Sequence, residues 1–255
     1  MRFQWSFPDN PLTGLKQAAM ETIRAHKLQA IGRQVGYAWL AGIGIGILAA
    51  VLLAKGIDIN LSADVEAVSV AMLDAELRLR ALAYIALLLF VLDVVVSVGL
   101  YLMLKDSGQL LAGTSLVAKL FAAGLGLIGA MFTMNSAEIA SHPAYQVLAD
   151  SSQRLLLNGI QATSNYTSFH LSLVLSSSAL AGFYWLFLRT GRIPRVIAGW
   201  GLFATLFVAS AIVLRDFIPA LGHTGITLAF MISNLIALLS TSLYLALKGA
   251  QARES

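Results

Sequence analysis

An aspartate occupies the middle of one of the most apolar stretches of the sequence, Ala81–Leu104, and a lysine lies inside the next, Ala112–Met134. Asp93 is roughly 16 Å from either end of its stretch at about 1.5 Å per residue. With lipid around it, a charge there costs ~2.5–3.5 kcal/mol on insertion scales. The chemistry that would justify that cost is a proton relay, a cation site or a ligand anchor. The structural alternative is a carboxylate, protonated or paired, that pins one helix to another. Lys119, about 10 Å deep, is the candidate partner, because consecutive antiparallel segments are usually neighbours. Its long stem equally suits snorkelling to the interface. A retinal-type Schiff base would need the lysine in a sealed pocket, which nothing else in the sequence supports.

Ser97 and Tyr101 follow Asp93 at four-residue steps and extend a polar line along one helix face. Asn234, with Ser233, Ser240, Thr241 and Ser242, gives the last apolar stretch a polar stripe. The hydroxyls can bond back to their own helix, whereas Asn234 is expected to face a bundle interior. Asp93, Lys119, Ser97, Tyr101 and Asn234 are therefore the candidates for binding a ligand or ion.

A second set is metal-like. Glu138 and His142 are four residues apart, so one helix face would present both. His170 and His223 fall toward the same side of the topology derived below. Together the four would suit zinc or haem if their loops converge. Their unrelated spacings favour the plainer reading of interfacial histidines bonded to backbone or water. There is no cysteine, which removes disulfides, thiolate metal sites and cysteine nucleophiles. No nucleophile elbow, phosphate-binding glycine loop or paired-histidine metalloprotease motif occurs. Gly42–Gly46 lies inside an apolar stretch and lacks the Lys-Ser/Thr that a phosphate loop needs. The sequence thus points to no catalytic residue and to no identifiable cofactor.

The elements that must position these residues follow from composition. The chain is 58% hydrophobic and 12% charged, about half the charge of a soluble domain. Six windows reach the roughly 20 apolar residues that a membrane-spanning helix needs: Val35–Ala54, Ala81–Leu104, Ala112–Met134, Thr167–Leu188, Val196–Leu214 and Ile226–Leu247. The fourth is the most diluted, by His170 and by Ser172, Ser176, Ser177 and Ser178. The expected class is all-α, a polytopic bundle of six spans.

Lys and Arg favour cytoplasmic loops. With the N-terminus inside, the inner side holds Arg2, Lys16, Arg24, Lys27, Arg33, Lys105, Arg189, Arg192, Arg195, Lys248 and Arg253. The outer side holds Lys55, Arg78, Arg80, Arg154 and Arg215, and most of the acid. Both termini are therefore expected in the cytoplasm, with the protein in a bacterial inner membrane. The net charge of +4 is spread over span ends, not clustered as nucleic-acid binding requires.

Residues 1–34 carry no secretory signal. Thr13–Gln34 is expected as an amphipathic helix on the inner leaflet, preceded by Phe3, Trp5 and Phe7. The bundle is expected over 35–248 and a cytoplasmic tail over 249–255. Of the long outer loops, Ser62–Arg80 reads as helical, with Ser62 as its cap and Glu76 paired with Arg80. Ser136–Tyr166 should pack on the outer ends of the spans. Ala38, Gly42, Gly46, Ala50 and Ala54, and Ala118, Ala122, Gly126 and Ala130, form small-residue stripes. These suit close packing within one bundle, or a homodimer or partner interface.

Two stretches carry a resemblance. Arg80, Leu92-Asp93-Val94, Leu100-Tyr101 and Lys105 resemble the second-span pattern of a bacterial six-span family catalogued as a domain of unknown function. Thr190-Gly191, Ile193-Pro194-Arg195 and Gly199 resemble its turn between spans four and five, and Arg33–Leu40 is similar to the start of its first span. The resemblance implies six spans and brings no activity or site residues with it. Three readings remain: a bundle binding a small hydrophobic ligand, lipid or ion near Asp93, as in a carrier; an enzyme on an outward metal site; or an accessory or sensor subunit docked through small-residue faces.

Overall fold

In hydrocarbon every backbone polar group must be satisfied within its own segment, and the helix is the open-ended way to do so. The computed structural model, which describes residues 11–58, 60 and 64–251, follows that rule throughout. The chain is 90% helix, with no strand among the described residues. The long helices are α1 (Pro11–Ala49), α3 (Glu76–Leu104), α4 (Gln109–Ser141), α6 (Ser151–Thr190), α7 (Arg195–Arg215) and α8 (Thr224–Lys248). All six are long and apolar enough to cross a membrane. The short helices α2 (Val65–Leu73) and α5 (Pro143–Leu148) lie between them.

Neighbours in contact are α1–α3, α3–α4, α4–α6, α6–α7, α7–α8 and α8–α1, so the six long helices close a ring. Helix α2 packs on α6 and α4 at one end of this ring. The loop carrying Arg192 joins α6 to α7 at the other. The main core sits toward the Arg192 end, where Phe183, Tyr184 and Phe187 of α6 meet Leu100, Met103 and Leu104 of α3.

The stretch expected as a separate helix over Thr13–Gln34 is helical but does not stop at residue 34. It continues into the first span as one 39-residue helix, about 58 Å long against a hydrocarbon core of roughly 30 Å. Gly32 and Gly36 allow it to approach α8 and the residues after it closely: a Cβ on Gly36 would lie 2.2 Å from the Ala246 nitrogen, and one on Gly32 2.4 Å from that of Ala250. Phe3, Trp5 and Phe7 lie outside the described residues. The tail is packed at its root, with the Gln251 N–H donating to the Arg192 carbonyl at 3.0 Å.

The two long loops are mostly helix. Helix α2 is capped by Asp64, whose carboxylate accepts from the Ala67 N–H at 3.0 Å; Ser62 lies outside the described residues. The expected Glu76–Arg80 pair forms at 2.9 Å in the first turns of α3. In the second loop, α6 starts at a capping box in which Asp150 accepts from the Gln153 N–H and Gln153 returns to the Asp150 N–H. Helix α6 ends on Gly191, whose φ of 66° is left-handed, as helix termination by glycine requires. Its serines are accommodated in different ways: Ser172 Oγ donates to the Ala122 carbonyl of α4 at 2.7 Å, Ser177 is buried, and the exposed Ser178 donates back to Val174 O at 2.8 Å. Such bonding lets the most diluted stretch remain one long helix.

Arginines close helix ends that would otherwise leave carbonyls unpaired. At the end of α1 a π-turn over Ala50–Ala54 frees backbone oxygens. Arg78 of α3 donates to Leu53 O at 2.8 Å and to Lys55 O at 2.5 Å. At the opposite end of the ring Arg192 donates to Met103 O near the end of α3.

Candidate functional site

On α3, Leu88, Val91, Val95, Val98 and Leu102 are exposed and form the face turned to the surroundings. Asp93 is on the opposite face with Ser97, Leu100 and Leu104, each of which is fully buried. On α4, Lys119 shares a buried face with Ala112, Ser115 and Ala122. Both charged residues are therefore aimed into the ring. Lys119 Nζ donates to both carboxylate oxygens of Asp93, at 2.7 and 2.8 Å.

The pair is not sealed evenly. The Lys119 side chain keeps 9% of its surface and that of Asp93 keeps 28%. Asp93 is thus incompletely covered although it lies on the face of α3 opposite the exposed one. Asn234 belongs to the same interior: it lies on the face of α8 that carries Phe230, Ala237 and Thr241. Its Oδ1 is buried without a partner among the described residues. The Tyr184 hydroxyl meets Thr241 Oγ1 at 3.0 Å and Ala237 O at 3.3 Å, linking α6 to α8. With Ser172 against Ala122 on α4, these contacts put Lys119 and Asn234 at one depth to within about one helical turn.

Ser97 and Tyr101 do not extend the site. Ser97 Oγ donates back to the Asp93 carbonyl of its own helix at 2.6 Å, the local bond available to a mid-helix serine. Tyr101 packs against the core near the Arg192 end, about 12 Å along the helix from Asp93.

The metal-like set is not brought together. Pro143 forces the residue before it out of the helical region, so α4 ends at Ser141 and His142 becomes the extended cap of α5. The shared helix face expected for Glu138 and His142 therefore does not form. Glu138 pairs instead with Arg80 at 2.8 Å, while His142 Nδ1 accepts from the Ala144 N–H at 3.2 Å. The His170 ring is tilted against that of Tyr166, with centroids 3.8 Å apart, and its Nδ1 lies 2.8 Å from the Tyr166 carbonyl. His223 is the exposed residue preceding α8. Among the described residues no three His, Asp or Glu side chains are grouped to hold a metal.

Polar contacts beyond those expected from the sequence organise the α2 end. Arg80 bridges Glu76 and Glu138, and Arg215 Nη2 donates to the Tyr166 hydroxyl at 2.9 Å. Asn158 of α6 is fully buried, and neither its amide nitrogen nor its oxygen has a partner among the described residues. An asparagine among Leu155, Leu156, Leu157 and Ile160 was the available signal. A groove of about 640 Å³ also opens at this end between α2 and α6, lined by Val65, Ser69, Leu155, Leu156 and Ile160 among others. It includes neither Asp93 nor Lys119.

Comparison with known proteins gives one family. Residues 35–249 match the profile of a domain of unknown function, DUF4386. No curated protein and no solved structure matches the chain.

Proposed function

The chain belongs to that family of unknown function, and we propose that it is a non-enzymatic membrane protein whose bundle binds a small hydrophobic ligand, lipid or ion beside Asp93. The observation that carries the reading is the direction of the incompletely covered carboxylate. Asp93 points into the ring, yet keeps 28% of its side-chain surface. A pair that served only to pin α3 to α4 would be better sealed, because a buried ion pair is costly unless its remaining hydrogen-bonding capacity is met. The lone acceptor of Asn234 at the same depth offers a second polar contact.

The same reading places the protein in a bacterial inner membrane with both termini cytoplasmic, since the Lys- and Arg-rich end of the ring is the one that carries the α6–α7 loop. A carrier is one version of this function.

The test is extraction of the protein from its own membrane, followed by mass analysis of what it releases. The wild type is expected to release a defined small molecule or ion in near-stoichiometric amount. The Asp93→Asn/Lys119→Gln variant, which removes both charges together, should release little of it. Equal release from both would remove Asp93 from any binding role.

A further inference from the structure

We infer that Arg24, Asp106 and Arg192 form a headgroup site for one anionic phospholipid at the Arg192 end of the ring. Arg24 Nη2 lies 2.5 Å from Asp106 Oδ2, with 63% and 44% of the two side chains exposed. Arg192 donates to Met103 O, three residues before Asp106 in the chain, which brings a second guanidinium to the same turn. Burial lowers its pKa from the ordinary arginine value, Asp106 opposes that shift, and Arg24 adds to it. Two guanidinium groups thus stand at one turn with a single carboxylate, and the cluster keeps an excess positive charge. A phosphate oxygen would supply the missing anion with charge-assisted hydrogen bonds in a geometry that guanidinium matches well.

Three observations favour a lipid as the source of that phosphate. Asp106 follows the last residue of α3 by two positions and precedes α4 by three, so the cluster sits where two spans end. Leu110 and Val196, beside the loops that carry Asp106 and Arg192, are 82% and 84% exposed and give acyl chains an apolar shoulder. Lys27, Arg33, Lys105, Arg189, Arg195 and Lys248 lie at the same end, and basic groups near an anionic leaflet contribute about 1 kcal/mol each. Among the described side chains Asp106 is the acid opposing them. This inference does not depend on the interior site at Asp93.

The experiment uses full-length protein delipidated in neutral detergent. Phosphatidylglycerol, phosphatidylcholine of the same chains, and inorganic phosphate are titrated in turn, read by native mass spectrometry and thermal melting. Phosphatidylglycerol is expected to saturate at one molecule per chain and to raise the melting temperature, while the other two do neither. Arg24→Gln should weaken its binding roughly five- to ten-fold. Asp106→Asn, which removes the competing carboxylate, should strengthen it. Arg33→Gln, which removes a basic group from outside the cluster, should weaken it less than Arg24→Gln. Equal binding of the two lipids, equal losses in Arg24→Gln and Arg33→Gln, or weaker binding in Asp106→Asn would overturn the site. Saturation by inorganic phosphate alone would overturn the lipid as its occupant. The melting temperature of each variant without lipid separates a loss of fold from a loss of binding.

Discussion

Lys119 Nζ lies 2.7 and 2.8 Å from the two carboxylate oxygens of Asp93, across the interface between α3 and α4. The geometry resolves the alternatives that the residues alone left open, since the lysine neither snorkels nor stands free. Removing one partner strands the other in low dielectric, at a cost of about 3–5 kcal/mol for a fully buried pair and less here because Asp93 is partly open. Lys119→Met and Asp93→Asn are each expected to lower stability by more than the Asp93→Asn/Lys119→Gln double variant. Melting curves in detergent, arranged as a double-mutant cycle, measure the coupling. Additive losses would mean that the two side chains do not stabilise each other.

Gly36 and Gly46 make opposite predictions on one helix. A Cβ at Gly36 would strike the backbone of α8 at Ala246 and Ser242, so Gly36→Ala should cost about 1–3 kcal/mol by overpacking. A Cβ at Gly46 meets nothing within 4 Å, and Gly46→Ala should be neutral or stabilising by up to about 1 kcal/mol through helix propensity. Thermal melting of the two variants checks the pair.

Arg78 should hold the end of the first span. It donates to Leu53 O and Lys55 O, so Arg78→Gln leaves acceptors at the π-turn uncovered. Hydrogen exchange is expected to accelerate for amides around 50–57 while those of α6 stay protected.

The start of α6 should respond to acid. Asp150 has its pKa lowered by the Ser152 hydroxyl first and the Gln153 N–H next. A depressed folded pKa stabilises above the unfolded value and is lost as pH falls through the folded one. Exchange protection of the first amides of α6 should therefore hold above the ordinary carboxylate value of 3.8 and fade below it. Asp150→Asn, which can still accept the Gln153 N–H, should lose this pH response.

What could be read in advance, and what could not, divides along physical lines. The six spans were legible because lipid imposes a length and a hydropathy on each segment. The Asp93–Lys119 contact was legible because spans adjacent in sequence are usually adjacent in space. His142 misled because the four-residue spacing from Glu138 assumes one helix, and Pro143 ends that helix between them. The bond from Arg80 to Glu138 and the burial of Asn158 were passed over because they depend on the register at which α3, α4 and α6 meet. The packing of α1 on either side of residue 34 was not legible, because Gly32 and Gly36 meet Ala250 and Ala246, more than two hundred residues later in the chain.

The most direct measurement is a density map of the protein purified from its own membrane. The proposed function predicts non-protein density inside the ring, within hydrogen-bonding distance of the Asp93 carboxylate and extending toward Asn234. A map in which side chains alone fill that space, with Asp93 sealed against Lys119 and its neighbours, would contradict it.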